Sequence, residues 1–320
     1  MKTILLTGVL AALAVAGTVT YPAIGGIAYR STVAIESTLY GLHKAEVNGG
    51  DSRLMTLQGG PQDAPAVVMI HGYSADKDVW VRFARHFTDR YRVVIVDLAG
   101  HGETAFDPTL KNDTTSQAAR VLTLMDSLGI TKAHVIGNSM GGFITARLAH
   151  DHPERLLSAT LMDAAGVTPQ QPSVMGELLA KGDNPFLFSD RDGFRRFYPM
   201  TMAKAPWVPG MTLDWMADQY VARRPQLERI FNDFHNVGLL DGQLAGIRVP
   251  TLVMWGAKDE LVSPTAAGVW CPGIPGCKRV TYPDLGHMPM VEDPARSASD
   301  VLQFIQRLPA SRPLISGEHS

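Results

Sequence analysis

The sequence predicts an α/β fold in which a mostly parallel sheet is flanked by helices. Short apolar segments alternate with helical stretches over residues 66–161, and this rhythm resumes at Val249. Such alternation is typical of parallel strands joined by helices. A chain of 320 residues is long enough for one large domain with an insertion. The net charge of −2 provides no basic surface, so we expect no nucleic-acid partner.

The segment Gly-Asn-Ser-Met-Gly at residues 137–141 is the most informative motif of the chain. A predicted strand over residues 133–136 precedes it, and a predicted helix over residues 142–150 follows. This context predicts a nucleophile elbow, a sharp turn that exposes the Ser139 hydroxyl above the sheet. Glycines on both sides keep so tight a turn sterically allowed. The alternative is a structural turn without a catalytic role.

A nucleophilic serine requires a base, an acid that orients the base, and donors for a developing oxyanion. His287 lies in a Gly-His loop near the C-terminus, and Asp259 follows the predicted strand over residues 251–254. We predict these two as base and acid. The backbone amides of Tyr73 and Met140 are the predicted oxyanion donors. The chain order serine, aspartate, histidine is that of the α/β-hydrolases.

Several other residues compete for these roles. Asp163 follows another predicted strand, and Glu260 is adjacent to the preferred acid. His71 and His101 lie in glycine-containing loops, and Asp97 ends a strand that precedes the elbow. We predict that these last three are structural.

Residues 164–246 lack the strand rhythm and are predicted to form a helical cap inserted into the sheet. Its aromatic and methionine side chains are Phe186, Phe188, Phe194, Phe197, Tyr198, Met200, Met202, Trp207, Met211, Trp215 and Met216. Such side chains suit a pocket for a flexible apolar substrate, and the alternative is that they pack the cap onto the core. We predict substrate contacts for Phe186, Phe188, Trp207 and, after the catalytic histidine, Met288.

The N-terminus carries no charged residue over positions 3–29, between Lys2 and Arg30. Residues 1–29 therefore predict a membrane anchor or a signal peptide. With the anchor, Lys2 faces the cytoplasm, and the catalytic domain lies in the periplasm of a bacterial inner membrane. With the signal peptide, the protein is secreted after cleavage.

Apolar residues at near-helical spacing predict a juxtamembrane helix over residues 30–47. Residues 48–163 and 247–320 are then the two parts of the α/β core, separated by the cap. Cys271 and Cys277 flank a turn-forming segment, which favours a small disulfide loop over two free thiols and does not suit zinc.

Four motifs together resemble a known family. They are His-Gly-Tyr-Ser-Ala-Asp-Lys-Asp-Val-Trp at 71–80, the elbow, Trp-Gly-Ala-Lys-Asp at 255–259, and Gly286-His287. The chain resembles membrane-anchored α/β-hydrolases of the monoacylglycerol lipase type, which include bacterial membrane-bound phospholipases A. The resemblance covers nearly the whole chain. It implies a homodimer formed through the membrane and juxtamembrane helices.

These observations predict a serine carboxylic-ester hydrolase that forms an acyl-enzyme and requires no metal or organic cofactor. The leading substrates are lysophospholipid, phospholipid and monoacylglycerol. The alternatives are a short-chain carboxylesterase, a carbon-carbon bond hydrolase of the ring-cleavage type, and a sensor that binds acyl ligands without turnover. Dehalogenases and epoxide hydrolases carry aspartate at the elbow, where this chain has Ser139.

Overall fold

The computed structural model describes residues 2–308, and it describes side chains from residue 21 onward. Eight strands form one sheet in the spatial order β1-β2-β4-β3-β5-β6-β7-β8. The strands are β1 (Leu42–Asn48), β2 (Arg53–Gly59), β3 (Ala66–Ile70), β4 (Arg92–Val96), β5 (Ala133–Asn138), β6 (Leu156–Met162), β7 (Thr251–Gly256) and β8 (Lys278–Tyr282). Only the pairs β1–β2 and β2–β4 are antiparallel. The predicted mostly parallel sheet is therefore confirmed.

Helices cover both faces of this sheet and form the cap. They are α1 (Lys2–Leu39), α2 (Val81–Ala84), α3 (Thr114–Ser127), α4 (Met140–Asp151), α5 (Val174–Ala180), α6 (Arg191–Phe197), α7 (Gly210–Ala222), α8 (Arg224–Phe234), α9 (Ala267–Gly273), α10 (Pro289–Glu292) and α11 (Pro294–Gln306). Between β6 and β7, a stretch that the structure describes throughout, there is no strand. The inserted segment is thus helical, as its composition predicts.

The central strands are buried on both faces, which explains why they are continuous apolar runs. Alternate side chains of β3 enter different hydrophobic clusters, because successive residues of a strand point to opposite faces. Val68 and Ile70 belong to one cluster, and Val67 and Met69 belong to the other. The sheet is therefore a rigid platform, and the loops at the carboxyl ends of its parallel strands are available for chemistry.

The N-terminal helix ends earlier than the sequence predicts. We predicted one helix over residues 30–47, but α1 ends at Leu39, and residues 42–48 form strand β1. Gly41 adopts a φ of 70°, a conformation that ends helices and favours glycine. The strand then forms because Leu42 and Val47 are buried on the sheet, while β1 pairs with β2 along its whole length.

Helix α1 packs against the cap helix α7. A side chain at Gly25 would collide with the carbonyl oxygen of Met211, so the two helix backbones approach very closely there. Tyr29 and Arg30 both cover the indole of Trp215, with the Tyr29 and Trp215 ring centres 5.3 Å apart. We refer to this packing as the α1–α7 contact.

The predicted membrane anchor lies largely outside the residues whose side chains are described. Within the part of the chain that the structure describes, no helix is both long and apolar enough to cross a bilayer. The anchor stays a prediction from the sequence.

Candidate active site

Ser139 lies in the sharp turn between β5 and α4. Its backbone angles, φ 57° and ψ −119°, are unusual for a residue with a side chain. The turn is fixed by backbone hydrogen bonds, since Ser139 N–H donates to Met162 at 3.0 Å, and the Ser139 carbonyl accepts from Phe143 and Ala165 at 3.1 Å. The strained conformation and half-buried position are those of a nucleophile elbow.

The two glycines of the motif are required by close backbone contacts. A side chain at Gly137 would collide with the carbonyl oxygen of Gly141. A side chain at Gly141 would collide with the carbonyl oxygens of Ile70 and His71, at the end of β3. The elbow therefore packs directly against the neighbouring loop, and this explains the residue types that the motif contains.

His287 and Asp259 form a buried hydrogen-bonded pair. The Nδ1 atom of His287 lies 2.8 Å from Asp259 Oδ2, and the side chains of the two residues are only 6% and 0% exposed. The other carboxylate oxygen of Asp259 accepts N–H groups from Leu261 at 2.8 Å and Val262 at 3.0 Å. With Nδ1 bound to the acid, the second ring nitrogen of His287 is available to the substrate side. Ser139 and His287 both line the same cavity.

The rivals for the acid do not make this contact. Glu260 is exposed, and its backbone carbonyl accepts from Met175 at 2.9 Å. Asp163 is fully buried next to the pair, and its Oδ1 accepts from Gly256 N–H at 2.9 Å. The hydrogen-bond geometry therefore favours Asp259 as the partner of the histidine.

Asn138 and Glu292 fix the loop that carries the histidine. Asn138 Nδ2 donates to the carbonyl oxygen of His287 at 2.9 Å. The Glu292 carboxylate accepts from Gly286 N–H at 2.9 Å and from Met288 N–H at 3.2 Å. The sequence reasoning missed both residues, because only the folded loops bring them to the histidine.

The residues of both predicted oxyanion donors are close to Ser139. Met140 is the first residue of α4, so its N–H has no carbonyl partner inside the helix. Tyr73 follows Gly72, where an added Cβ would lie 2.9 Å from the Cβ of Ser139. The Tyr73 hydroxyl donates to the Leu227 carbonyl at 2.6 Å, which ties this loop to the cap. The role of the two amides stays a prediction.

His71, His101 and Asp97 hold the neighbouring loops together, as predicted. His71 Nδ1 lies 2.7 Å from the Gly72 carbonyl oxygen, and its Nε2 accepts from Leu98 N–H at 3.1 Å. Burial lowers the pKa of both histidines, and that of His101 falls well below its usual value. A buried, neutral ring that bonds the backbone is structural.

Asp97 is the centre of a buried ion-pair network. It accepts from Lys77 Nζ at 2.9 Å and from the N–H groups of Lys77 and Glu103 at 2.7 Å and 2.9 Å. Two loops beside the elbow are thereby joined by charged hydrogen bonds.

A cavity of about 1040 Å³ opens above Ser139. Three of the predicted substrate contacts line it, namely Phe186, Trp207 and Met288. Its walls also include Tyr29 and Val33 of α1. The N-terminal helix is therefore part of the wall of the site, a role that the sequence reasoning did not predict. The near-helical spacing of apolar residues after Arg30 was the available signal.

The prediction that Phe188 contacts the substrate is wrong, because this residue is not among those that line the cavity. Its ring stacks on Tyr220 at 5.7 Å and packs against Phe194 at the same centre-to-centre distance. Gly193 leaves room for it, since an added Cβ there would collide with Phe188. The side chain is used to pack the cap, which was the alternative stated for this aromatic set.

The described part of the chain contains one group of side chains of the types that bind metals. It consists of Asp163, Asp259 and His287, whose donor atoms lie within 4.8 Å of one another. Because His287 Nδ1 and Asp259 Oδ2 already share a hydrogen bond, the group is better suited to proton chemistry than to a metal. Cys271 and Cys277 are joined as a disulfide with Cα atoms 5.3 Å apart, away from this grouping.

The model of the alpha/beta hydrolase family matches residues 67–300, which include the elbow, the acid and the histidine. The chain belongs to this family. It is 30% identical over 268 residues to Lipase 1 of Psychrobacter immobilis, a match that covers 82% of this chain and 83% of that lipase. Monoacylglycerol lipase abhd6-B of Xenopus laevis is 26% identical over 268 residues, with 79% of each chain covered.

The alpha/beta hydrolase is also similar to a solved structure, that of a bacterial membrane phospholipase A. The two share 32% identity and a TM-score of 0.86, with 96% of this chain and 100% of the other covered. The similarity to monoacylglycerol lipases and to a membrane phospholipase A, first indicated by the motifs, is thus confirmed. The chain is a lipase-like hydrolase of this family.

Proposed function

We propose that this protein is a serine hydrolase that cleaves the carboxylic ester of acyl lipids through an acyl-enzyme intermediate. The observation that carries the proposal is the buried 2.8 Å contact between His287 and Asp259 beside a cavity that Ser139 and His287 both line. The similarity to a lipase, a monoacylglycerol lipase and a membrane phospholipase A supports a carboxylic ester as the substrate class.

The proposed reaction begins when the Ser139 oxygen attacks the ester carbonyl carbon and His287 takes the hydroxyl proton. Asp259 keeps the imidazole oriented and stabilises its positive charge. The amides of Tyr73 and Met140 donate to the developing oxyanion. His287 then returns the proton to the alcohol that leaves, and the acyl group stays on the serine. In the second half, His287 takes a proton from a water molecule as the water oxygen attacks the acyl carbonyl carbon. His287 then returns this proton to the Ser139 oxygen as the bond between the serine and the acyl group breaks, which releases the carboxylic acid and restores the serine.

Lysophospholipid, phospholipid and monoacylglycerol are the proposed substrates. The volume of the cavity and its aromatic walls, which include Phe186 and Trp207, suit a long flexible chain better than a short acyl group. Each of these lipids presents an acyl ester that the proposed nucleophile can attack. A short-chain carboxylesterase would have the same nucleophile and acid, and the substrate panel below distinguishes the two.

We further propose that residues 3–29 attach the protein to the bacterial inner membrane with its catalytic domain in the periplasm. The uncharged stretch between Lys2 and Arg30 supports this topology. Secretion after cleavage of a signal peptide is the alternative to this topology. A homodimer formed through the N-terminal helices is a further hypothesis. Fractionation of cells that express the full chain, with and without residues 1–29, tests attachment directly. Recovery of the full chain in the soluble fraction would contradict it.

The substrate proposal is tested by acid release from purified protein. The panel contains short- and long-chain p-nitrophenyl esters, monoacylglycerol, lysophospholipid and diacyl phospholipid, each with Ser139→Ala in parallel. We expect release from at least one lipid that depends on Ser139. Release confined to short esters would replace the lipid proposal with a general carboxylesterase. If no ester released acid, the proposal of an ester hydrolase would be contradicted. The carbon-carbon bond hydrolase or the acyl-ligand sensor would then be favoured.

A further inference from the structure

Two buried carboxyl groups meet behind the catalytic histidine, at the ends of neighbouring parallel strands. Asp163 follows β6, and Asp259 follows β7. A carboxylate oxygen of each and a ring nitrogen of His287 lie within 4.8 Å of one another. Asp163 is completely buried, at 0% exposure. Two negative charges so close together in the interior would be strongly destabilising, so one group is expected to hold a proton.

Hydrogen bonding identifies which group holds it. Both carboxylate oxygens of Asp259 face donors: the N–H groups of Leu261 and Val262 at Oδ1, and the histidine ring at Oδ2, where a second acceptor site stays open. Asp163 receives one donor, Gly256 N–H, at Oδ1. Its Oδ2 is buried, and it faces no donor among the described residues. An ionised carboxylate only accepts, so an ionised Asp163 would leave this oxygen unpaired, whereas a protonated one can donate.

The surrounding charges favour the same assignment. Asp259 lies on the β7 loop, Glu292 on α10 and Tyr282 on β8, and each interacts electrostatically with Asp163. Burial raises the pKa of Asp163 well above its usual value of 3.8, and the charge and hydrogen bond of Asp259 raise it further. The N–H of Gly256 acts in the opposite direction but does not outweigh burial.

We propose that Asp163 is a neutral carboxylic acid that donates a hydrogen bond to Asp259 and so positions the catalytic acid against His287. This inference concerns the proposed active site and rests on the proposed serine mechanism. Asp163 is not among the residues that line the cavity, so it acts on the reaction through Asp259 and is a positioning residue. Its O–H group holds the Asp259 carboxylate in place when the imidazole gains and loses its proton in each half-reaction.

The backbone at this position permits a sharp test. Asp163 has a φ of 47°, a conformation that asparagine and aspartate adopt more readily than other residues with side chains. Asparagine also keeps an acceptor for Gly256 N–H and provides an N–H donor toward Asp259, and it cannot ionise. Asp163→Asn therefore preserves every contact of a neutral acid and removes only the capacity for charge.

We compare Asp163→Asn and Asp163→Ala with wild-type protein by steady-state kinetics on one ester substrate. The asparagine variant is expected to keep kcat within about threefold, whereas the alanine variant is expected to lose about ten- to a hundredfold in kcat with little change in KM. Thr160→Val is the matched control, because Thr160 is buried on the same strand and its hydroxyl has no described partner. This control should retain full activity.

A kcat for Asp163→Asn as low as that of Asp163→Ala would overturn the proposal, because it would mean that a negative charge is required. An unchanged kcat for Asp163→Ala would overturn it equally, because no positioning would be lost. Thermal melts of all variants identify any that fail to fold. If Asp163→Ala does not fold, the infrared comparison of wild type with Asp163→Asn decides.

Infrared spectroscopy at neutral pH tests the protonation state without any substrate. The difference spectrum of wild type minus Asp163→Asn should contain the carbonyl stretch of a protonated carboxylic acid. Carboxylate bands in its place would show that Asp163 is ionised and would overturn the proposal. Because this measurement needs no turnover, it separates failure of this inference from failure of the proposed function.

Discussion

The catalytic end of the sheet and the α1–α7 contact above it are stabilised in different ways. At the catalytic end, close backbone contacts at Gly137 and Gly141 and buried hydrogen bonds to Asp259 restrict each side chain to one position. In the α1–α7 contact, the aromatic ring of Tyr29 packs on Trp215, and the two helix backbones approach closely at Gly25. We therefore expect the first region to determine the chemistry and the second to shape the cavity. We expect substitutions in the two regions to have separable effects.

Ser139→Ala is expected to have the largest effect. It should lower kcat by about 10³-fold or more on every ester, because only binding and oxyanion donors would remain. Asp259→Asn should also be severe, because the histidine would lose its orienting charge. Initial rates on short and long esters measure both effects. The control is Ser299→Ala, which changes an exposed serine. Near-normal turnover by Ser139→Ala would exclude Ser139 as the nucleophile.

Gly25→Val is expected to act on long substrates selectively. Its side chain would collide with the Met211 carbonyl and displace α1, which contributes Tyr29 to the cavity wall. We expect about a tenfold loss of kcat/KM on long-chain esters and less than about threefold on short ones. Ala23→Val, at an exposed position of the same helix, is the control. Equal losses on both esters would mean that the two regions are not separable.

Trp207→Ala should have a smaller effect of the same kind. The indole is 87% exposed and lines the cavity, so its loss should raise KM for long-chain substrates a few-fold with little change in stability. Titration of rate against substrate concentration measures the change. Val237→Ala removes another exposed apolar side chain, one that is not among the cavity residues, and should leave KM unchanged. An unchanged KM for Trp207→Ala would remove this side chain from the substrate path.

The sequence identified the catalytic end better than the cap for a physical reason. Ser139, Asp259 and His287 each follow a strand or a glycine turn, so local residue order predicts their placement at the carboxyl edge of the sheet. Asp163 also ends a strand, and only the three-dimensional hydrogen bonds distinguish it from Asp259.

In the cap and the N-terminal helix, local residue order does not indicate which side chains line the cavity. Phe186 and Phe188 are the same residue type two positions apart, yet one lines the cavity and the other packs the cap. Gly25 and Gly26 weaken the sequence pattern of a membrane span, whereas the structure uses them for the close approach to α7. Long-range packing of this kind cannot be read from residue spacing.

Substitution of Asp78, which lines the cavity, is expected to have the smallest effect. Burial and the neighbouring Asp76 raise its pKa from 3.8 to about 7, against the attraction of Lys77. Asp97 and Glu103 also face this carboxyl group and contribute to the raised pKa. Because the folded state holds the proton more tightly, the stability that this group contributes is complete below pH 3.8 and is lost as the pH rises through about 7.

Asp78→Asn cannot lose a proton, so its melting temperature relative to wild type should increase between about pH 5 and about pH 8. Thermal melts across this range measure the difference. The exposed Asp89→Asn variant is the control and should show a constant difference. A difference for Asp78→Asn that falls with pH would contradict the assigned direction.

Covalent labelling of the active serine tests the central claim most directly. Wild-type protein is incubated with a fluorophosphonate, which reacts with activated serines, and the digested chain is analysed by mass spectrometry. We predict a single adduct on the peptide that contains Ser139, with labelling abolished in His287→Ala and retained in the Ser299→Ala control. An adduct on another residue, or lipid hydrolysis that persists without any label on Ser139, would contradict the account.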